Sequence, residues 1–334
     1  MDRPHLTRRS ALRLSLSGLA CALGGSARAP HEGRRLYRRV GVAFGTTVAI
    51  TLEAADKAMA ELAFAAGFAE VRRIDRIASL TRADGDVARL NRQGFLDRPD
   101  PALIAMLDVA RQMHVASAGL FDVTVQPLWL ALDAAARRGG WPSEGEIADF
   151  RARIGQDALQ VSANRVEFSR SGMAITLNSL ARGYAADRVA EAVAAAGVVN
   201  AFLDIDELEA LGARPDGARW RASVQHPRQP DQSVAAALVS GCLATSGDYR
   251  YFWSPDYARH HIIDPRSGAS PRDFSSVSVL ADNGLLADAL STAVFLVGSA
   301  AAPTLLATFN AEALFVDKAG AVAMTPGFPW LASL

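Results

Sequence analysis

The sequence predicts an α+β fold built as a single compact unit with two lobes. Three observations carry this prediction. β-branched runs and helical apolar periods are mixed without strict alternation, half of the 334 residues are hydrophobic, and no repeat or low-complexity tract interrupts them. Charge is balanced, with 35 Lys+Arg against 35 Asp+Glu, so no summed field draws the chain to nucleic acid or anionic lipid. A small or neutralised ligand is the better expectation.

Residues 1–27 read as an export address rather than as fold. Arg8-Arg9 form a twin-arginine pair, the apolar run Leu14 to Gly25 is too short to span a membrane, and Gly25-Ser26-Ala27 suits cleavage after Ala27. A lipid anchor on Cys21 would need a large aliphatic residue where Gly18 stands. The expected location is the periplasm, reached by the twin-arginine route, with residues 28–334 as the functional domain. Removal of the address takes away four Arg and one Asp, so the remaining domain is mildly acidic. It keeps one cysteine, Cys242, which excludes an intrachain disulfide and a Cys-based metal site.

Taken in order, Gly41 to Leu52 has the β-branched content of a strand, with Gly45 as a bulge or point of close approach. Asp56 to Ile77 follows as a helix, because Phe64, Phe68, Val71, Ile74 and Ile77 keep to one buried face. Thr81 to Asn91 is polar and turn-like. Asp100-Pro101 opens a second helix that buries Leu103, Met106, Ala110 and Met113 and stops at Gly119. Leu120 to Leu132 mixes β-branched and aromatic residues around Pro127, and a loop follows at Arg137 to Gly140. Leu159 to Phe168 reads as a hairpin turning at Ala163-Asn164. Ile175 to Leu177 reads as a short strand running into a helix capped by Asn178 and ended by Gly197. Ala201–Ile205, Trp220–Val224, Val234–Val239 and Val277–Leu280 are further strands. Two helices, Leu286–Val297 and Ala302–Phe309, are parted by Gly298, and Ala313 to Met324 closes the chain as a hairpin.

Three constellations could carry chemistry. Asp288, Ser291 and Thr292 stand at i, i+3 and i+4 of a helix, so three oxygen-bearing side chains share a face, as a hard cation such as Mg²⁺ requires. An Asp favoured by the helix dipole, with a Thr bonding back to a carbonyl, explains the same residues more plainly. His260 and His261 precede Ile262-Ile263-Asp264; strand alternation sends only one of them to a site, where it could serve as a general base or simply be hydrogen-bonded. Thr245-Ser246-Gly247-Asp248-Tyr249 places two hydroxyls and a glycine at a strand end, suited to phosphate oxygens but also common in turns. No P-loop, GxGxxG or GxSxG is present, which removes the main support for kinase-like, Rossmann and α/β-hydrolase readings.

Seven spaced blocks resemble, in order, the ApbE family of flavin transferases. They are Phe44-Gly45-Thr46, Ser79 to Asn91, Gly119 to Thr124, Leu177 to Asp187, Ala244 to Tyr249, His261 to Gly268 and Ala287 to Thr292. Thr124 to Trp129 and Leu177 to Tyr184 are most similar to the NosX branch, associated with nitrous-oxide reductase maturation. The resemblance implies an α+β fold related to the T-fold, FAD as donor substrate, Mg²⁺, and transfer of FMN to a threonine of an acceptor flavoprotein, NosR-like or another protein with an FMN-binding domain. Carried over by position, Asp288, Thr292 and the carbonyl of Ala181 would hold the metal, with Ser291 where some members have a further ligand. The flavin pocket would include Phe44, Thr81, Phe121, Asp122, Arg182 and the turn near Pro271, and His261 would act as base or organise the reacting groups.

Departures from the family pattern fall at Phe44, Thr81 and Arg182, and at Asp206-Glu207 in place of paired glycines. An acidic pair beside a pyrophosphate repels it unless Mg²⁺ or Arg182 intervenes. That substitution motivates a second reading, a non-catalytic FAD carrier or assembly factor. A third is metal-dependent hydrolysis of FAD to FMN and AMP.

Overall fold

The chain enters its fold on a hairpin. In the computed structural model, which describes residues 34–331 apart from Pro230 and Val239, β1 (Arg35–Ala43) and β2 (Thr46–Ala54) pair from Arg35↔Ala54 to Ala43↔Thr46. The export address at residues 1–27 lies outside the described residues. Phe44 and Gly45, at φ 51° and 75°, make the two-residue left-handed turn that matches strand twist. The single strand expected over Gly41 to Leu52 is therefore two, with Gly45 in the turn rather than in a bulge.

Helix α1 (Lys57–Ala78) starts at Asp56, whose side chain accepts from the Met59 N–H, and buries Phe64, Val71, Ile74 and Ile77 as the periodicity predicts. The segment expected to be a turn, Thr81 to Asn91, instead holds α2 (Asp86–Gln93): Val87 and Leu90 give it a buried side too short to register as a period. β3 (Phe95–Asp97) follows, then α3 (Pro101–Ala116), capped by Asp100 and burying Leu103, Met106, Ala110 and Met113. The mixed segment around Pro127 becomes a 3₁₀ turn (Val123–Val125) leading into α4 (Gln126–Arg137), with Pro127 in the first turn where its missing N–H costs nothing. α5 (Glu144–Arg151), β4 (Leu159–Val161) and β5 (Arg165–Phe168) complete this half, the last two forming the expected hairpin.

Residues 173–177 form no strand, and Asn178 is not the helix cap. α6 (Ala181–Ala195) begins three residues later, behind Leu180. Buried Ile175, Leu177 and Leu180 anchor this irregular stretch as strand residues would, so composition alone does not tell the two apart. Then come β6 (Ala201–Asp204), β7 (Leu208–Leu211), β8 (Trp220–Gln225), β9 (Ser233–Leu238), β10 (Gly241–Gly247) and β11 (Phe274–Ala281). β7 and β10 lack the β-branched signal: Leu-Glu-Ala-Leu and Gly-Cys-Leu-Ala-Thr-Ser-Gly are strands by virtue of their neighbours. α7 (Gly284–Thr308) runs on past Gly298 but breaks there, at φ 77° and ψ 178°, so the two expected helices are halves of one kinked element. β12 (Glu312–Asp317), β13 (Val322–Met324) and β14 (Trp330–Leu331) end the fold.

Eight strands form one antiparallel sheet in the order β1-β2-β6-β7-β10-β11-β12-β13. Its helical side carries α1, α6 and α7 over the main core of Ile50, Leu52, Leu203, Val277, Val279 and Phe295, among others. A smaller sheet, β14-β9-β8, covers a second cluster of Trp220, Leu238, Leu243, Leu314 and Val316. The α+β expectation holds. Helix α7 is long and apolar enough to cross a membrane by composition, but it packs on α3, α6, β10 and β11, with 56% of its apolar window buried inside the fold.

Candidate functional site

A cleft of about 290 Å³ lies where α6 and α7 both begin, against the end of β10. Its wall is made from the loop through Phe121 and Asp122, from Arg182, from Thr245 and Ser246, from His261 to Ile263, and from Asp288 and Thr292. Five of the blocks that looked separate in sequence thus meet in one place.

The floor is a knot of hydroxyls beneath a carboxylate. Ser246 Oγ lies 2.8 Å from Ser291 Oγ and 2.9 Å from Thr292 Oγ1, while Ser291 Oγ donates to the Asp288 carbonyl at 2.9 Å. Asp288 Oδ2 accepts from the Gly183 N–H at 3.1 Å, at the start of α6. Burial raises the Asp288 carboxyl to about 6, against the pull of the neighbouring Arg182. Among the described residues no three His, Cys, Asp or Glu side chains group to hold a metal. A cation here would rest on one carboxylate with hydroxyl and carbonyl oxygens, a donor set that suits Mg²⁺, which keeps several of its waters. The residues present fit such an ion.

Arg182 is ringed by acids. Its Nε lies 3.3 Å from Asp206 Oδ2 and 3.4 Å from Glu207 Oε1. Burial opposes its charge, but Asp288, Glu207 and Asp206 together hold it protonated well beyond the ordinary guanidinium. Glu207 is almost wholly buried; its Oε2 accepts from the Thr245 N–H at 3.1 Å, and burial pushes its carboxyl up to about 8. Asp206, at φ 69°, also takes a 2.8 Å bond from Arg250, which lines the cleft. The acidic pair expected to repel a pyrophosphate is therefore matched by two arginines.

Of the two histidines, only His261 lines the cleft. His260 is fully buried, its Nε2 3.1 Å from the Pro271 carbonyl. The strand alternation used to separate them is absent, since His260 makes only an isolated bridge with Phe252, yet the same side chain faces the cleft. His261 Nδ1 lies 3.0 Å from the Tyr251 carbonyl, which can only accept, so Nδ1 carries the proton and Nε2 the lone pair. Burial lowers its pKa to about 4, helped by Arg182 and Arg250, and the ring is neutral near pH 7.

The remaining named residues divide. Phe121 and Asp122 line the cleft, although the Asp122 carboxylate is occupied in accepting from Thr124 N and Oγ1 at 2.8 and 2.6 Å. Ser291 is buried beneath the wall, and Ala181 forms the first residue of α6, directly before Arg182. Phe44, Thr81 and Pro271 are not among the lining residues. Phe44 sits in the β1–β2 turn with its N–H on Asp75 Oδ1, Thr81 is exposed beside Leu80, which does line the cleft, and Pro271 serves His260. Arg250 and Trp129 were not singled out from sequence, because nothing local distinguishes a pocket arginine or tryptophan from a surface one.

Comparison with known proteins bears directly on this cleft. The family model described as the ApbE family matches residues 44–315, which include every block named above. The chain belongs to the ApbE family. A protein named FAD:protein FMN transferase from Vibrio cholerae serotype O1 is 30% identical over 231 residues, covering 66% of this chain and 69% of that one. Another of that name from Treponema pallidum is 28% identical, covering 89% of each chain. The crystal structure of the Pseudomonas stutzeri flavinyl transferase ApbE in its apo form superposes with a TM-score of 0.77 at 28% identity, over 88% of this chain and 95% of that one. The Pseudomonas stutzeri protein thus shares the α+β architecture described above.

Proposed function

We propose that this chain transfers FMN from FAD to a threonine hydroxyl of an acceptor flavoprotein, releasing AMP. The observation that carries the reading is the convergence of Asp288, Thr292, Ser246, Arg182 and His261 on one cleft in a chain of this family. The hydroxyl oxygen attacks the phosphorus on the FMN side of the pyrophosphate; a P–O bond forms, the bond to the bridging oxygen breaks, and AMP leaves with that oxygen. His261 Nε2 is the acceptor for the hydroxyl proton. Arg182 and Arg250 offer cations to the phosphates while Asp206 and Glu207 fix their positions. Mg²⁺, held by Asp288, Thr292 and the Ala181 carbonyl with Ser291 behind them, would neutralise charge on the pyrophosphate oxygens. Positioning is most of the work, because little covalent chemistry is asked of the protein.

The carrier reading rested on the acidic pair, and the pairing of Asp206 and Glu207 with arginines removes its motive. The NosX-like blocks support an exported, periplasmic protein acting on a NosR-like acceptor in nitrous-oxide reductase maturation, and the twin-arginine pair supports that route. The test is to incubate the chain with FAD, Mg²⁺ and such an acceptor and look for flavin fluorescence on the denatured acceptor band. Labelling that disappears in Asp288→Asn supports the assignment. Full labelling by that variant places the metal elsewhere.

A further inference from the structure

Helices α6 and α7 carry the same five-residue pattern at the same place. α6 reads Gly183-Tyr184-Ala185-Ala186-Asp187 and α7 reads Gly284-Leu285-Leu286-Ala287-Asp288, so each has a glycine in its first turn and an aspartate one turn on. The two glycines touch. A Cβ on Gly183 would overlap the Gly284 carbonyl and come within 2.7 Å of Asp288 Cβ, and a Cβ on Gly284 would overlap the Gly183 carbonyl. This contact lets each helix use the other's aspartate as a cap. Asp288 of α7 accepts from Gly183 N of α6 at 3.1 Å, and Asp187 of α6 accepts from Gly284 N and Leu285 N of α7 at 2.5 and 2.9 Å.

The two aspartates differ in surroundings. Asp288 lines the cleft, whereas Asp187 is not among its lining residues and borders a separate groove. A helix N-terminus has N–H groups without internal partners, and a carboxylate that takes two of them fixes the first turn in position and rotation. Asp288 stands one turn beyond the N–H groups that Asp187 holds, and Thr292 one turn beyond that.

We infer that Asp187 is a positioning residue for Asp288: by clamping the first turn of α7 it sets where the Asp288 carboxylate and Thr292 hydroxyl stand relative to α6. The inference rests on the proposed cation site. Groups that orient a metal ligand from outside the coordination sphere change metal affinity when removed, and the loss is about 10-fold to 100-fold. A purely structural cap would lower thermal stability and leave the affinity of the folded protein unchanged.

The experiment uses the full chain and Mn²⁺ as the probe, with free Mn²⁺ read by electron paramagnetic resonance alongside thermal melts and FMN transfer at varied metal. Asp187→Ala is expected to weaken Mn²⁺ about 10-fold or more and to raise half-saturating metal for transfer by the same factor. Its transfer rate at saturating metal stays within a few-fold of wild type. Asp187→Asn keeps one carbonyl oxygen as acceptor and should lose less affinity than the alanine variant but measurably more than none, which serves if the alanine variant does not fold. Wild-type affinity in folded Asp187→Asn and Asp187→Ala overturns the inference. Absence of Mn²⁺ binding by the wild type overturns it together with the metal assignment. Binding without transfer overturns the transferase reading alone, since the Asp187 shift is then still read from Mn²⁺.

Discussion

Glu207 shows how a residue that looks like a defect in the sequence becomes part of the site. Its carboxylate joins the Thr245 N–H to Arg182, so it ties the cleft end of β10 to the pocket cation. Glu207→Ala leaves a buried N–H without its partner and should destabilise the fold by about 2 kcal/mol, seen as a lower Tm, with weaker FAD binding in a fluorescence titration. Glu207→Gln keeps a carbonyl for Thr245 N. Burial raises this carboxyl and so works against its charge, and the Gln variant, which keeps the acceptor without a charge, should stay closer to wild type than the Ala variant. Asp288 and Thr292 were legible in the sequence because their relation is local, one helical turn. The Glu207–Arg182 pair was anticipated only as a condition on the pyrophosphate, because it joins the β6–β7 connection to the start of α6, and no pattern within either segment fixes the contact.

Among the elements, those with strong periods were readable and those held by neighbours were not. α1 and α3 display their buried faces and their Asp caps in sequence, and both were located within a residue or two. α2 is amphipathic but only eight residues long, and β7 and β10 lack a β-branched signal, so tertiary pairing decides those two strands. The Gly183–Gly284 contact was not read from sequence, because a Gly-x-x-x-Asp at each helix start carries no meaning until the crossing brings the two together. Two glycine variants separate its role from ordinary backbone freedom. Gly298→Ala must place a Cβ at φ 77°, 2.8 Å from Asp273 Oδ2, and should cost about 1–3 kcal/mol in chemical denaturation. Gly183→Ala should cost a similar amount, and in addition lose metal-dependent transfer, because the overlap falls on the segment that carries Asp288.

At the level of the whole molecule, the buried titratable groups shape stability against pH. Glu209, on β7 beneath α6, has its Oε2 buried without a partner, and burial raises its carboxyl to about 8, with Asp187 adding to the rise. A folded-state pKa above the unfolded value means the folded form holds its proton more tightly, so the stability is full below about 4.5 and is lost as pH rises through 8. His260 and His261, both lowered to about 4 by burial, act oppositely and cost stability as pH falls from about 6.5 towards 4. Above pH 6.5 the histidines no longer contribute, and Tm should fall from there towards pH 8.5. Glu209→Gln should flatten that fall and raise Tm at the alkaline end; an unchanged slope would mean Glu209 is not among its sources. That this cleft moves FMN from FAD to a threonine is the claim on which the rest depends, and the intact mass of the acceptor, measured with AMP in the same reaction, decides it. With FAD and Mg²⁺, the acceptor should gain one FMN phosphoester on a threonine, with one AMP released per label and neither product when Asp288 is replaced by Asn. Free FMN and AMP with an acceptor of unchanged mass would contradict the claim and make the protein a hydrolase of FAD.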